Sequence, residues 1–567
     1  MNNLPIEIIC HILNKLENTI DVFNFSITSK HNRNIVMNNK KIFNCVTNLD
    51  SYFINEKFKS NIFGKLKIKI TNKSIIDLSI LSIIDLKNVV EIDLSYSRNI
   101  KDISILKDIS VINLSYCNSI TDVSILKDVS VINLSYCNSI TDVSMLGNCE
   151  ELNLNNCKNI TDVSKLRKVK KLNLSRCHLI KDVNMLEDCE ELYLEDCVNI
   201  TDVSKLCKVK KLYLSYCKGI IDVSNLGNCE ELILKSTNII DVNMLRNVKK
   251  LDLSYCQNIT DVNNLGNCEE LILIGCNRIT DVSKLGRVKK LSLDKCYSIT
   301  DVSMLGNVEN LNLVNCINVT DVSKLGNVKN LNLSKCNSIT DVSMLVNVEN
   351  LNLSECNRIK DVNNLGNVKN LNLCHCQGIL EINMIGYNQK LDLACCENIK
   401  YVSISGDIEE LYLSYCNRIK YVNISGYCKV LNLSSSGIIN VSKLTNVKKL
   451  NLSKCDRIKY VSMLRNVEEL DLSYSYKIKD VSSLEKVKKL NLSGCNKITD
   501  VSMLGNVEEL DLSYCYSITD VSKLGNVKKL NLSWCKNIKN VSNLGNVIEL
   551  DLSYCENIND VSKLGNV

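Results

Sequence analysis

From Asp102 onward, apolar and polar positions along the chain follow one rhythm. The pattern D-V-S-x-L-G-N-V-K-x-L-x-L-S-x-C-x-x-I-T returns every 20 residues. Its anchors run from Asp102 by steps of 20 to Asp222, shift by one deletion to Asp241, continue from Asp261 to Asp361, and reach Asp560 with substitutions. Within a unit, Leu172 and Leu174 alternate with Lys171, Asn173 and Ser175, and Leu192 and Leu194 repeat the alternation. Such alternation predicts a strand with one buried face. Val169, Leu172, Leu174, Ile180, Val183 and Leu186 supply one slice of core. A fixed short period means a solenoid, although 567 residues would otherwise allow about four compact domains. Only about 11 residues join one strand to the next, too few for a formed helix and its turns, so extended or 3₁₀ turns are expected on the convex side. The predicted fold class is an α/β-type solenoid dominated by parallel β, curved as a horseshoe, with little or no convex helix.

The unit L-x-x-L-x-L-x-x-C-x-x-I-x-D resembles leucine-rich repeats, close to their cysteine-containing subclass, over residues 66–567. Twenty residues is the short end of the leucine-rich range. The cysteine-containing repeat usually carries a convex helix, and this one has no room for it.

Three columns of residues invite a chemical reading. Twenty cysteines share one repeat position, beginning Cys117, Cys137, Cys157 and Cys177. With one thiol per repeat and no Cys-x-x-Cys pairing, a buried ladder with S–H on backbone carbonyls is favoured over metal or redox sites. The substitutes Ser97, Thr237, Ser436 and Ser475 are small and able to hydrogen-bond. The aspartate column is read as turn caps, with Asp162 accepting a backbone N–H near Ser164 or Lys165, rather than as a calcium ladder, which needs glycine-rich turns. Charge alternates between repeats, from Lys170-Lys171 to Glu190-Glu191, Lys210-Lys211 and Glu230-Glu231. Neighbouring strands then pair opposite charges, and no continuous track for phosphates results.

Composition narrows the setting. The chain has 30 cysteines, one proline and a net charge of +6. Met1–Leu16 lacks a basic leader pattern, and no run approaches the roughly 18 apolar residues of a membrane span. Reduced thiols in the cytoplasm or nucleus are therefore expected, in the host cytoplasm if the chain is viral. The Asn-, Ile- and Lys-rich composition suggests an AT-rich genome, such as that of a protist or a large DNA virus.

Residues 1–45 do not follow the repeat. Leu4, Ile8, Ile12 and Leu16 have helical spacing, and Pro5 suits a helix start. The opening L-P-x-E-I-x-x-x-I-x-x-x-L, the following D-V-x-x-F-S and S-K-x-x-x-R resemble an F-box; where a tryptophan usually follows, this chain has Asn32-Arg33-Asn34. The resemblance implies docking onto the Skp-type adaptor of a cullin–RING ubiquitin ligase. It carries Leu4, Pro5, Ile8, Ile12, Leu16, Val22 and Phe25 over as docking or F-box core residues. The expected organisation is a helical F-box-like module at 1–45, a connector or cap at 46–65, and repeats at 66–567 with the last one incomplete and its edge near Glu549–Ser553 uncapped.

Aromatics read as exposed strand positions are candidate anchors for a protein partner on the concave face: Tyr193, Tyr213, Tyr216 and Tyr255, then Tyr474, Tyr514, Trp534 and Tyr554. Tyr96, Tyr116 and Tyr136 form a further ladder. The alternative is cross-strand stacking that strengthens the sheet. Residues 372–440 break the pattern: Glu381, Tyr401 and Tyr421 replace the turn aspartate, and Ile385-Gly386-Tyr387 and Ile404-Ser405-Gly406 replace Leu-Gly-Asn. Such breaks are candidate functional sites. Cys374-His375-Cys376 and Cys395-Cys396 lie there, with His375 and Cys395 on adjacent strands. Ordinary drift among repeats is the preferred reading over a soft-metal site, so no metal and no cofactor are expected. Four histidines, His11, His31, His178 and His375, are too scattered for a catalytic arrangement, and no nucleotide-binding loop occurs. The sequence therefore reads as a non-enzymatic adaptor that brings a protein substrate to a ubiquitin ligase, binding neither membrane nor nucleic acid. An interaction scaffold without a ligase link, or a regulatory subunit of an enzyme such as a phosphatase, are the alternatives.

Overall fold

The computed structural model describes residues 44–48, 67–71 and 89–565. They fall in two compact units, Met1–Ile272 and Leu273–Val567. Each unit is a succession of near-identical turns, and one turn explains the rest.

The turn from Asp162 begins with the Ser164 N–H donating to Asp162 Oδ1 at 2.8 Å, the cap expected from the sequence. A 3₁₀ turn over Ser164–Leu166 follows, closed by the Leu166 N–H on Val163 O at 3.0 Å. The strand Lys171–Asn173 lies parallel and in register between Glu151–Asn153 and Glu191–Tyr193. Leu174 extends the ladder by donating to Tyr193 O at 2.8 Å. Arg176 then takes a left-handed φ of 62° and turns the chain, while its N–H bonds Glu195 O at 2.8 Å. Val163, Leu166, Val169, Leu172, Leu174, Cys177 and Ile180 all point inward and are at most 2% exposed. The expected slice of core is thus present, with Cys177 as an additional member.

Three-residue strands joined by 3₁₀ or simple turns recur through both units, matching the prediction of little or no helix. In the first unit, Asn44–Asn48 pairs in parallel with Lys67–Thr71, which pairs with Val89–Asp93. Among the described residues the strand column includes Asn44–Asn48, earlier than residue 66, where the sequence pattern first becomes visible. The helical spacing at residues 1–43 lies outside the described residues.

The caps take aspartate or asparagine alike: Ser442 N–H donates to Asn440 Oδ1 at 2.9 Å and Ser323 N–H to Asp321 Oδ1 at 2.9 Å. A bond that an amide makes equally well needs no calcium ion. The serine N–H holds the Asp321 carboxyl below the usual carboxylate range. Asp321→Asn is expected to leave the urea midpoint unchanged at neutral pH, and Asp321→Ala to lower it, because only alanine leaves the Ser323 N–H without its partner.

A second capping column escaped the sequence reading. Asn173 Oδ1 accepts the Ser175 N–H at 2.9 Å as the strand ends, and Asp471 does the same for Ser473 at 2.9 Å. In the second unit, Asn330 and Asn370 donate side-chain amides to Asn310 and Asn350, each at 2.5 Å, an uncharged ladder where other repeats pair lysine with glutamate.

The stretch flagged as irregular departs in a specific way. Glu381–Ile385, Tyr401–Ser405 and Tyr421–Ile424 replace the 3₁₀ turns by a separate three-stranded parallel sheet. In regular turns the inward pair is Val322 and Leu325, three apart; here it is Val402 and Ile404, two apart. A spacing of two is a strand's period, and a spacing of three is a 3₁₀ turn's.

Candidate partner-binding surface

The cysteine column is structural. Cys177 Sγ donates to Leu154 O of the preceding turn at 3.1 Å, and the same bond recurs, as at Cys356 to Leu333 O at 3.1 Å. Ser475 substitutes with Oγ on Leu452 O at 3.1 Å. In the shortened turn, Thr237 instead bonds Leu234 O of its own turn at 2.8 Å. Burial pushes the Cys157 thiol up to about 12, so these sulfurs are neutral and inert near pH 7.

The charge columns pair as expected. In the second unit Lys449–Glu469, Lys489–Glu509 and Lys529–Glu549 approach to 3.0, 2.9 and 2.8 Å. These groups are well solvated, so each pair adds little to stability. They line a groove on the sheet face between Tyr412 and Asp551. Beside them, Asp471, Asp511 and Asp551 cap the strand ends through Oδ1. The groove thus carries three lysines against six carboxylates, an acidic excess.

The aromatic candidates separate into two groups. Tyr193 and Tyr213 stand on strands of the first unit, stacked with centroids 4.3 Å apart. Their hydroxyls bond Glu191 at 3.3 Å and Glu231 at 3.0 Å, and burial followed by the Glu231 carboxylate raises the Tyr213 phenol. Tyr216, Tyr255, Tyr474, Tyr514, Trp534 and Tyr554 are not on strands. They occupy the left-handed residue of the turn that follows, with φ between 57° and 64°. Their placement on strand positions is therefore corrected: the strand ends after three residues, and the chain has already turned when it reaches them. Tyr96, Tyr116 and Tyr136 share that turn position and stack at 4.4 and 4.3 Å. Trp534 stacks with Tyr514 at 5.6 Å and Tyr554 at 4.3 Å, with Lys536 Nζ 5.5 Å from its ring. These rings stack from one turn to the next rather than across strands.

The acidic groove was missed in the sequence. Its signal is the middle residue of L-x-L, which alternates Asn451, Asp471, Asn491, Asp511, Asn531 and Asp551 in step with the lysine–glutamate alternation. Without knowing that both columns face the same groove, the two alternations do not add up to a net charge.

In the irregular stretch, Cys376 and Cys396 belong to the buried ladder, bonded to Leu353 O at 3.1 Å and Leu373 O at 3.0 Å. Cys374, His375 and Cys395 do not; their donor atoms lie within 4.8 Å of one another at the surface. The sequence put His375 and Cys395 within reach on adjacent strands and preferred drift to a soft-metal site; both stand instead at the left-handed position of adjacent turns, and the structure brings them together with Cys374. Burial, then Asp392, pushes the Cys374 thiol up to about 11.

The docking residues inferred from the F-box resemblance, Leu4, Pro5, Ile8, Ile12, Leu16, Val22 and Phe25, lie outside the described residues. No helix among the described residues is long and apolar enough to cross a membrane.

Comparison with known proteins agrees with both parts of this reading. The F-box domain model matches residues 1–44, and the leucine-rich-repeat model matches residues 245–262 and 483–504. No curated protein matches the chain. Among solved structures, an internalin (inlF) from Listeria monocytogenes is similar at 19% identity, covering 57% of this chain and 87% of its own, with a TM-score of 0.26. The functional domain of InlJ from the same organism, described as including a cysteine ladder, is 18% identical over 58% of this chain and 74% of its own, TM-score 0.32. A leucine-rich-repeat protein of Leptospira interrogans is 19% identical over 69% of this chain and 92% of its own, TM-score 0.29. F-box and leucine-rich-repeat modules are in general non-catalytic units of protein interaction. The chain thus carries an F-box match at residues 1–44 and leucine-rich-repeat matches within a parallel-sheet solenoid of short turns.

Proposed function

We propose that this protein is the substrate-recognition subunit of a cullin–RING ubiquitin ligase, working in the cytoplasm or nucleus. The F-box domain over residues 1–44, placed ahead of the repeats, is the observation that carries this reading. Residues 1–45 dock the Skp-type adaptor, through side chains drawn from Leu4, Pro5, Ile8, Ile12, Leu16, Val22 and Phe25. The repeats hold a protein substrate, and the ligation chemistry belongs to other subunits. The acidic groove between Tyr412 and Asp551 is the preferred substrate surface, because its carboxylate excess selects a basic segment.

The test is affinity capture from a eukaryotic extract with three forms of the full chain. Intact protein is expected to retain adaptor, cullin and substrate. Leu4→Ala/Pro5→Ala is expected to lose adaptor and cullin by at least tenfold and keep the substrate. Asp471→Asn/Asp511→Asn/Asp551→Asn is expected to do the reverse. Asparagine preserves the turn cap, as Asn491 does for Ser493 at 3.0 Å, so the triple variant removes charge alone. Failure of the folded intact chain to retain any adaptor would refute the ligase role. Unchanged substrate retention by the triple variant would move the substrate surface elsewhere.

A further inference from the structure

We propose that Cys374, His375 and Cys395 form a binding site for a single thiophilic d10 cation, zinc(II) or copper(I). Two sulfurs and an imidazole are the donors both ions favour, and their ligand atoms already lie within 4.8 Å of one another. Around an ion at ~2.0–2.3 Å, such donors sit about 3.5 Å apart, so closure by about 1 Å of side-chain rotation suffices.

The fold explains why these three meet. His375 and Cys395 occupy the left-handed turn position of successive turns, with φ of 61° and 59°. The His375 N–H bonds Ala394 O at 2.9 Å, which fixes the register and leaves the two side chains about one strand spacing, ~4.8 Å, apart. Cys374 precedes His375 and is half-buried, as is Cys395, while His375 is exposed and leaves an open side for a further ligand. Asp392 lies in the same turn, with Oδ1 on the Ala394 N–H at 3.0 Å; its negative charge beside the site favours a cation.

The repeat itself supplies the comparison. Position 374 is Ser354 and Ala394 in the adjoining turns and Ser414 in the turn beyond; the column of 375 and 395 holds Lys335, Glu355, Tyr415 and Ser435. All three donors are departures from the repeat, and they fall within one contact distance. The ladder thiols Cys376 and Cys396 stay on their carbonyls and take no part. Binding releases the two thiol protons to solvent as the thiolates coordinate.

The experiment uses the full-length protein, reduced with a phosphine and free of oxygen, dialysed to equilibrium against zinc(II) in one arm and buffered copper(I) in the other. Cobalt(II) serves as the optical probe through its thiolate charge-transfer band. The comparison protein is Cys374→Ser/His375→Lys/Cys395→Ser, in which every substitution restores a residue the neighbouring turns already carry, so folding is preserved. Intact protein is expected to retain one equivalent more than the variant of at least one cation, and each single substitution to weaken it at least tenfold. Equal retention by both proteins in both arms overturns the proposal. So does an extra equivalent that Cys374→Ser leaves unchanged, or a mapped Cys374–Cys395 disulfide in place of bound metal. None of these outcomes depends on adaptor docking.

Discussion

Above about pH 9 the repeats are expected to lose stability steeply, with the loss scaling with the number of ladder cysteines. An unfolded thiol ionises near 8.5–9. In the folded chain, burial pushes the ladder thiols of Cys157, Cys197, Cys217, Cys376 and Cys535 up to about 12, and Cys177 and Cys316 higher still. Through the window from about 9 to about 12 the native state therefore holds protons that the unfolded state has released. Stability is intact below that window and falls as pH rises through it, by about 1.4 kcal/mol per pH unit for each such thiol. Five turns that unfold together, with one ladder thiol each, lose about 7 kcal/mol per unit, which is comparable to the whole stability of an ordinary domain. Urea midpoints at pH 7.5, 9 and 10 measure this, with thiolate absorbance followed in parallel. Replacing ladder cysteines by serine, which Ser475 shows the position accepts, is expected to flatten the dependence in proportion to the number replaced. That comparison separates the thiols from tyrosine and lysine titration. Equal midpoints at pH 7.5 and 10, or native ladder thiols titrating near 9, would remove the account.

Gly406→Ala is expected to be among the most damaging single changes in the second unit, by about 3 kcal/mol or more. Gly406 has a φ of 142°, which L side chains rarely adopt, and an added Cβ would press into the carbonyl of Gly386. Gly386 has a φ of 145°, so two successive turns carry the same backbone. The obstacle is backbone, so no rotamer change relieves it. Gly565→Ala is the control, since a Cβ there meets nothing within 4 Å, and it is expected to be neutral within about 0.5 kcal/mol. Chemical denaturation of both variants checks the pair. Similar midpoints for the two would mean that the small sheet of Glu381–Ile385, Tyr401–Ser405 and Tyr421–Ile424 yields to the extra atom.

These two cases mark how far the sequence is legible. The alternation at Leu172 and Leu174, the single small residue at Cys177 and the aspartate at Asp162 each recur so often that chance is excluded. Each has one physical use in a 20-residue turn: a half-buried strand, a thiol on a carbonyl, a cap. The short connection rules out a helix by length alone. The strand at Asn44–Asn48 was hidden because it lies where the repeat has decayed and only pairing with Lys67–Thr71 reveals it. The change from 3₁₀ turn to strand at Val402 and Ile404 was present as a spacing of two, but over so short a run a spacing is read with assurance only beside its neighbours.

The sequence by itself determined the period, the inward faces, the thiol ladder, the caps and the pairing of opposite charges, because all of these are local or depend on residues a fixed 20 apart. Only the tertiary structure decided which residues share a surface. Where the chain leaves the strand sets whether a side chain lies on the sheet face, as at Tyr213, or on the following turn, as at Tyr216. The same exit, stacked turn on turn, brings the carboxylates of Asp471, Asp511 and Asp551 into one groove and the donors of Cys374, His375 and Cys395 into one cluster. That outcome depends on the left-handed residue, whose φ bends the chain at a point no hydrophobic pattern marks.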